Sequence, residues 1–420
     1  MNEQVPRNKS LDSTITLLQN GYTFIKNNVD GYQSDIFETH LLGEKVVCIS
    51  GEEAAKIFYN SELFKRQGAV PKRIQKTLFG LNAIQGMDNE AHAHRKHLFM
   101  SLMTPSHQKY LAELTMEKWE ERINKWKDSK EIILFNEAKE ILCWVACYWA
   151  GVPLAESEIR NRADDFSNMV NAFGGVGPRY FKGRYSRLKT EDWIKGIIKD
   201  VRARKYEAKK GSPLYEIAFY RDLDGNQLDD QIAAVELINI IRPIVAISTF
   251  ITFAALALHE HPQCRDLLIN GNNDDLEMFV QEVRRYYPFA PFLGARVKEN
   301  FMWNHYEFRE GTLVILDIYG TNHDAKIWED PYEFNPERFK NWDRNLFSFL
   351  PQGGGETAKG HRCPGEDITV EIMKVSIDFL VNKIEFQVPK QDLTYSIVKM
   401  PTLPKSGFIM HNIKSIHINK

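Results

Sequence analysis

Apolar positions in this chain recur mainly at the spacing of one helix face, and that period dominates from about residue 88 to residue 300. Trp119, Ile123 and Trp126 mark one such stripe, and Val145, Tyr148 and Trp149 mark another. Asp229 is placed to cap a long helix that runs through Arg242 and stops at His261-Pro262. Within it, residues 238–258 are almost wholly apolar, but Asn239, Arg242 and Pro243 interrupt the run. The uninterrupted part is shorter than the roughly 20 residues of a membrane crossing, so the pattern predicts a buried helix and no membrane span. Glycine-rich or charged breaks fall at 174–178, 209–213 and 271–275. Strand-like runs appear at 45–49 and 312–317, with a helix-like stretch at 52–59 between them. The β-bearing parts are therefore expected mainly at 1–65, 300–350 and 385–420, and the helical part at 88–300. Together they predict one domain over 1–420, mainly α with minor β.

Composition narrows the class. A 43% hydrophobic and 12% aromatic content in 420 residues suffices for a large core and an enclosed apolar cavity. A net charge of −2 carries no electrostatic footprint for nucleic acid. The five cysteines (Cys48, Cys143, Cys147, Cys264, Cys363) are odd in number and scattered, unlike a secreted disulfide framework. Cys143 and Cys147, four apart, read as core thiols on one helix face. Residues 1–10 hold no apolar signal region, and a soluble, cytoplasmic protein is the expectation. His259 and His261 have the wrong spacing for a zinc helix and read as a solvated helix end.

Cys363 stands in a different setting, the run 349–366 with Gly353, Gly354, Gly355, Gly360 and Gly365. This loop leads into a helical pattern at Asp367, Ile368, Val370, Ile372 and Met373. The sulfur is then expected at a helix N-terminus, where the positive field lowers a thiol's pKa, with Pro364 in the first turn. The glycines would let backbone N–H groups approach the sulfur. A thiolate held this way is a strong axial ligand for haem iron; the alternative is a buried structural thiol. Upstream, Glu282 and Arg285 are three apart on a helix and can pair, and Arg338 can join them in one buried cluster.

In that order, the Glu-x-x-Arg helix, the Pro-Glu-Arg-Phe stretch at 336–339 and the Gly…His-Arg-Cys-x-Gly loop resemble the cytochrome P-450 haem-thiolate superfamily over essentially the whole chain. The resemblance implies that fold, with haem b buried between a long central helix and the cysteine-loop helix. It implies Cys363 as the iron ligand, and Arg66, His92, Lys96 and His361 as cofactor-binding residues. Most members carry an acid–alcohol pair midway along the central helix. Here residues 239–246 lack it and place Arg242 and Pro243 there instead. No Asp or Glu lies three or four residues from Arg242, so a distant protein carboxylate or a ligand carboxylate must neutralise it. Arginine suits a bidentate carboxylate contact.

The Arg-Pro pair is also similar to one branch of the superfamily, the bacterial fatty-acid peroxygenases, and the likeness is to the Bacillus fatty-acid α/β-hydroxylases. That resemblance implies a fatty acid and hydrogen peroxide as partners, no redox protein, and oxidation at C2 or C3. The substrate carboxylate on Arg242 would act as the acid–base group. Leu78, Phe79, Val170, Phe173, Phe289 and Phe292 would line the chain site, several of them also fitting ordinary core positions. Branch members that mainly decarboxylate place histidine where this chain has Gln85, which favours hydroxylation. Rival readings are an oxygen- and reductase-dependent monooxygenase, a decarboxylase giving terminal alkenes, and a non-catalytic haem sensor.

Overall fold

The computed structural model describes residues 5–126, 129–269 and 271–416. The first four residues of the N-terminal stretch and the last four of the C-terminal tail lie outside the described residues. Its axis is the helix Asp230–Glu260, buried along nearly all of its length. Asp229 caps it, its carboxylate accepting from the Ile232 N–H at 2.8 Å, and His261 ends it. The helix is apolar and long enough to cross a membrane, yet 89% of its most apolar stretch is buried inside the protein. Helices Leu134–Ala150, Ile159–Asn171, Pro178–Arg202, Asn273–Tyr286 and Glu366–Asp378 pack around it. A core helix surrounded in this way has no face left for lipid.

The tryptophan stripe is a packing device. Trp119 lies fully buried on Pro105–Trp126, stacks on Phe379 with centroids 5.2 Å apart, and donates to Ser376 Oγ at 3.0 Å. Trp126 satisfies its indole N–H on Glu137 at 3.0 Å. Burying side chains of this size contributes several kcal/mol each, about 3–5 by truncation to alanine. On Leu134–Ala150, Val145 and Trp149 are buried, but Tyr148 is 54% exposed and stacks on Trp144. The stripe reading was therefore wrong at Tyr148, whose ring lies one step outside the buried face. Cys143 and Cys147 are buried thiols on that helix, as the spacing predicts.

A five-stranded sheet runs in the order Ile36–Leu41, Glu44–Ile49, Leu313–Asp317, Phe292–Val297, Phe64–Lys65. Its first two strands form a hairpin whose tip, Leu42-Gly43, has φ of 54° and 76°. Two left-handed residues are what a two-residue hairpin turn requires. Glu44–Ile49 then pairs in parallel with Leu313–Asp317. Alternate residues feed two cores: Val47, Ile49, Val314 and Leu316 face one, while Val46, Cys48, Leu313 and Ile315 face the other. A second sheet orders Glu131–Ile133, Ile409–Ser415 and Ile384–Gln387. Strands therefore also occur at 131–133 and 292–297, inside the stretch where helical periodicity dominates. Helices Thr14–Asn20 and Phe24–Tyr32 open the segment 1–65; both are too short for the period to stand out.

Candidate active site

A cavity of about 680 Å³ lies beside the middle of the central helix, and both Cys363 and Arg242 line it. Helix Glu366–Asp378 starts with Gly365 as its N-cap, so Pro364 precedes the helix and is not in its first turn. Cys363 N–H donates to Gln352 O at 3.0 Å, and Gln352 Nε2 lies 3.6 Å from the sulfur. Gln352 is itself fixed by Arg284 at 2.9 Å and by Thr369 Oγ1 at 3.1 Å. Arg284 and Arg362 both pair with the buried Glu366. Burial pushes the thiol pKa up, helped by Glu366 and opposed by the Gly365 N–H, Lys96 and Gln352. Within the protein itself, desolvation of the sulfur and the carboxylate in the first turn thus act against the helix field expected there. Only Gly353 (φ 95°) and Gly355 (φ 81°) need left-handed backbone. Only at Gly365 would a Cβ come near the sulfur, at 4.0 Å, so close approach is not why five glycines stand there.

One wall gathers Arg66, His92, Lys96 and His361, all of them lining the cavity. The rings of His92 and His361 stack with centroids 4.0 Å apart. Lys96 donates to Arg362 O at 2.5 Å, and Arg66 to Phe58 O at 3.2 Å. Burial drives Arg66 down to about 10, Lys96 to about 8 and His92 to about 3, the last also repelled by His361, Lys96 and Arg66. The nearby carboxylate is Asp88, which His361 and the amides of Arg66 and Gln67 hold at about 2 against the upward push of burial. Arg66 and Lys96, two buried cations against one carboxylate, leave positive potential unspent, and the His92 and His361 rings add further nitrogen donors. Together with a thiol at the edge of an apolar cavity, this donor set fits haem and its two propionates.

Arg242 faces the same space from the central helix. It is 7% exposed, its Nε has no hydrogen-bond partner, and no ion pair to it occurs among the described residues. Burial, then the charge of Arg187, pull its pKa down to about 9. Glu44 alone among the lining residues carries a carboxylate, and it pairs with Arg296 at 2.6 Å. Pro243 also lines the cavity. It removes the N–H that would have bonded to the Asn239 carbonyl one turn back.

The remaining expected residues converge on this cavity. Leu78, Phe79, Gln85, Val170, Phe173, Phe289 and Phe292 all line it. Phe79 lies 6.0 Å from the Arg242 guanidinium, Phe173 meets Phe292 at 6.1 Å, and Phe289 packs on Phe250 at 4.5 Å. Away from the cavity, Glu282 takes two bonds from Arg285, at 2.7 and 2.8 Å, and one ion pair from Arg338 at 3.2 Å. Arg285 spends its other hydrogens on the carbonyls of Asn322, Pro331 and Glu333.

One group escaped the sequence reading. Glu236, fully buried, accepts from Ile84 N–H at 2.9 Å and pairs with Arg95 at 3.0 Å. Asn239 Nδ2 donates to Phe79 O at 2.8 Å and lies 3.4 Å from Gln85 Oε1. This polar set sits behind Phe79 and Gln85, holding the Phe79 carbonyl firmly and Gln85 only by the long contact. Its signal was a lone acid in an apolar helix, three residues before Asn239.

The cytochrome P450 family model matches residues 276–414. Over the full length, the chain is similar to wild-type cytochrome P450EX alpha (CYP152N1) with myristic acid, at 42% identity and a TM-score of 0.95, covering 99% of this chain and 100% of that one. It is similar to cytochrome P450SP alpha (CYP152B1) in complex with (R)-ibuprophen, at 44% identity and 0.94, covering 96% and 99%. A phenylalanine-to-alanine variant of cytochrome P450 OleT in complex with arachidonic acid shares 36% identity at 0.96, covering 99% and 100%. Near-complete coverage at this identity, with the cysteine loop and the buried Glu282 cluster in place, leaves one conclusion: the chain belongs to the cytochrome P450 family of thiolate-ligated haem b proteins, and within it to the CYP152 group.

Proposed function

We propose that the protein is a hydrogen-peroxide-dependent fatty-acid hydroxylase that converts free long-chain fatty acids to 2- and/or 3-hydroxy acids. The observation that carries this reading is Arg242, a buried cation without a carboxylate partner among the described residues, in the same apolar cavity as Cys363. Cys363 is assigned as the thiolate ligand, with Arg66, His92, Lys96 and His361 receiving the propionates. Bound there, haem b supplies peroxide activation and oxygen insertion into a C–H bond.

The chain's own residues set the rest. Arg242 takes the substrate carboxylate through charge-assisted hydrogen bonds, which are strong in a dry site. With Glu236 committed to Arg95 and Ile84 and Glu44 to Arg296, no free acid lines the cavity among the described residues. The substrate carboxylate oxygen therefore takes and returns the peroxide proton, a role that requires hydrogen-bond reach. Leu78, Phe79, Val170, Phe173, Phe289 and Phe292 hold the acyl chain, and Pro243 shapes the helix beside it. A head group fixed on Arg242 limits which carbons approach the reacting oxygen, hence C2 and C3. Gln85 offers an amide that neither gains nor loses a proton near neutral pH, unlike an imidazole. Hydroxylation is then the main outcome and alkene a minor one. The related structures with myristic and arachidonic acid support the substrate class.

The deciding experiment incubates purified haem-loaded protein with myristate and hydrogen peroxide and identifies the products by mass spectrometry. Hydroxymyristate formed without a reductase supports the proposal. Turnover only with NAD(P)H and a redox partner would establish the monooxygenase reading, and no product under either condition the sensor reading.

A further inference from the structure

The mouth of the cavity combines exposed apolar side chains with an excess of positive charge. Leu18, Leu42 and Val176 line the cavity and are 38%, 65% and 58% exposed. Phe181 and Tyr185 continue the apolar surface along helix Pro178–Arg202, each 68% exposed. Leu42 is the more telling, because it occupies a left-handed hairpin tip where Asn, Asp or Gly is the favoured choice. An exposed leucine there gains nothing for the fold.

The second feature is charge. Residues 63–87 and 166–190 contain no Asp or Glu, in a chain whose net charge is −2. These segments and residues around 400 meet at the mouth. Arg73 donates to Gly175 O at 2.7 Å, Arg184 to Lys76 O at 3.1 Å, and Arg179 to Met400 O at 3.4 Å. The stitching is arginine to carbonyl, so it neutralises nothing. Lys72, Arg73, Lys182 and Lys399 are exposed there and have no ion pair among the described residues.

We propose that this mouth is a docking surface for an anionic phospholipid bilayer, seated so that a fatty acid passes from the lipid into the cavity. Cations near such a surface are attracted to its phosphates, while protruding apolar side chains bury at the headgroup boundary. Attraction of a dissolved fatty acid would need the charge alone and leaves Leu42, Val176 and Phe181 without a purpose. A rigid protein partner would close the opening, and the apolar groups come from separate segments around it, which suits a fluid surface. What passes through the mouth rests on the fatty-acid reading above; adhesion to lipid is read without turnover and does not.

The test is flotation of the haem-loaded protein with phosphatidylglycerol–phosphatidylcholine vesicles and with pure phosphatidylcholine vesicles, at low salt and at about 0.5 M salt, roughly three times physiological strength. Binding to the anionic vesicles, released by salt, is expected. The double variant Lys72→Glu, Lys182→Glu should weaken it at least about tenfold, and Phe181→Ser, Tyr185→Ser should weaken it at unchanged charge. Both should keep wild-type haem content and oxidation of a short, water-soluble fatty acid in vesicle-free buffer. Equal binding to neutral vesicles, no binding to either, or variants that float like wild type would overturn the proposal. So would a salt-dependent KM for dissolved fatty acid without vesicle binding, which points to steering of the free anion. If vesicles bind but myristate is not oxidised, the docking surface stands and the hydroxylase reading fails.

Discussion

A buried guanidinium is stable in an apolar wall only when something negative meets it, and among the described residues no carboxylate pairs with Arg242. Replacing Arg242 by alanine removes the anchor and strands the proton-carrying carboxylate. Peroxide-driven oxidation of myristate should fall by roughly two orders of magnitude or more, measured as kcat/KM with haem content unchanged. Gln85 is held only by a long 3.4 Å contact from Asn239 and faces the cavity. Gln85→His puts a titratable donor there, and the product ratio by mass spectrometry should move toward the terminal alkene. Arg242 could be singled out from spacing alone, since helix geometry excludes a partner at three or four residues. The Glu236 network could not, because its partners Arg95 and Ile84 come from 141 and 152 residues away.

Among the elements, the central helix follows directly from its own residues: an Asp229 cap, a long apolar run, and a stop at His261-Pro262. The short helix Ile318–Asn322 is a different case, because its cap Asp317 is fully buried at the end of a strand of the five-stranded sheet. Burial pushes this carboxyl up to about 7 although Gly320 N–H, Lys26 and Ser50 oppose it. Between the ordinary value of 3.8 and about 7 the folded state keeps a proton that the unfolded state has lost. Stability contributed at Asp317 is therefore present at low pH and declines as pH rises through that window. Asp317→Asn keeps an acceptor for the Gly320 N–H and cannot titrate. Urea denaturation at pH values across that window should show the variant gaining on wild type as pH increases.

On the scale of the whole molecule, Glu282, Arg285 and Arg338 tie the helix Asn273–Tyr286 to the segment 329–338. Glu282→Ala leaves Arg285 fully buried with no carboxylate, and a loss of about 3–5 kcal/mol is expected by chemical denaturation. The superfamily, the thiol loop and the lone arginine were all legible in the order of residues, because each depends on local spacing or on a short run. Convergence was not. Only the resemblance named Arg66, His92, Lys96 and His361, since their own local pattern does not set them apart from surface charges; the fold brings them to one wall, stacks His361 on His92 and buries Arg66, His92 and Lys96. The same holds for the Cys363 thiol: a helix N-terminus argues for a lowered pKa, while burial acts in the opposite direction. Desolvation and long-range pairing depend on what the rest of the chain places around a residue. Local pattern can therefore name the chemical groups here, while only the packed structure sets their charge, their partners and the cavity they share.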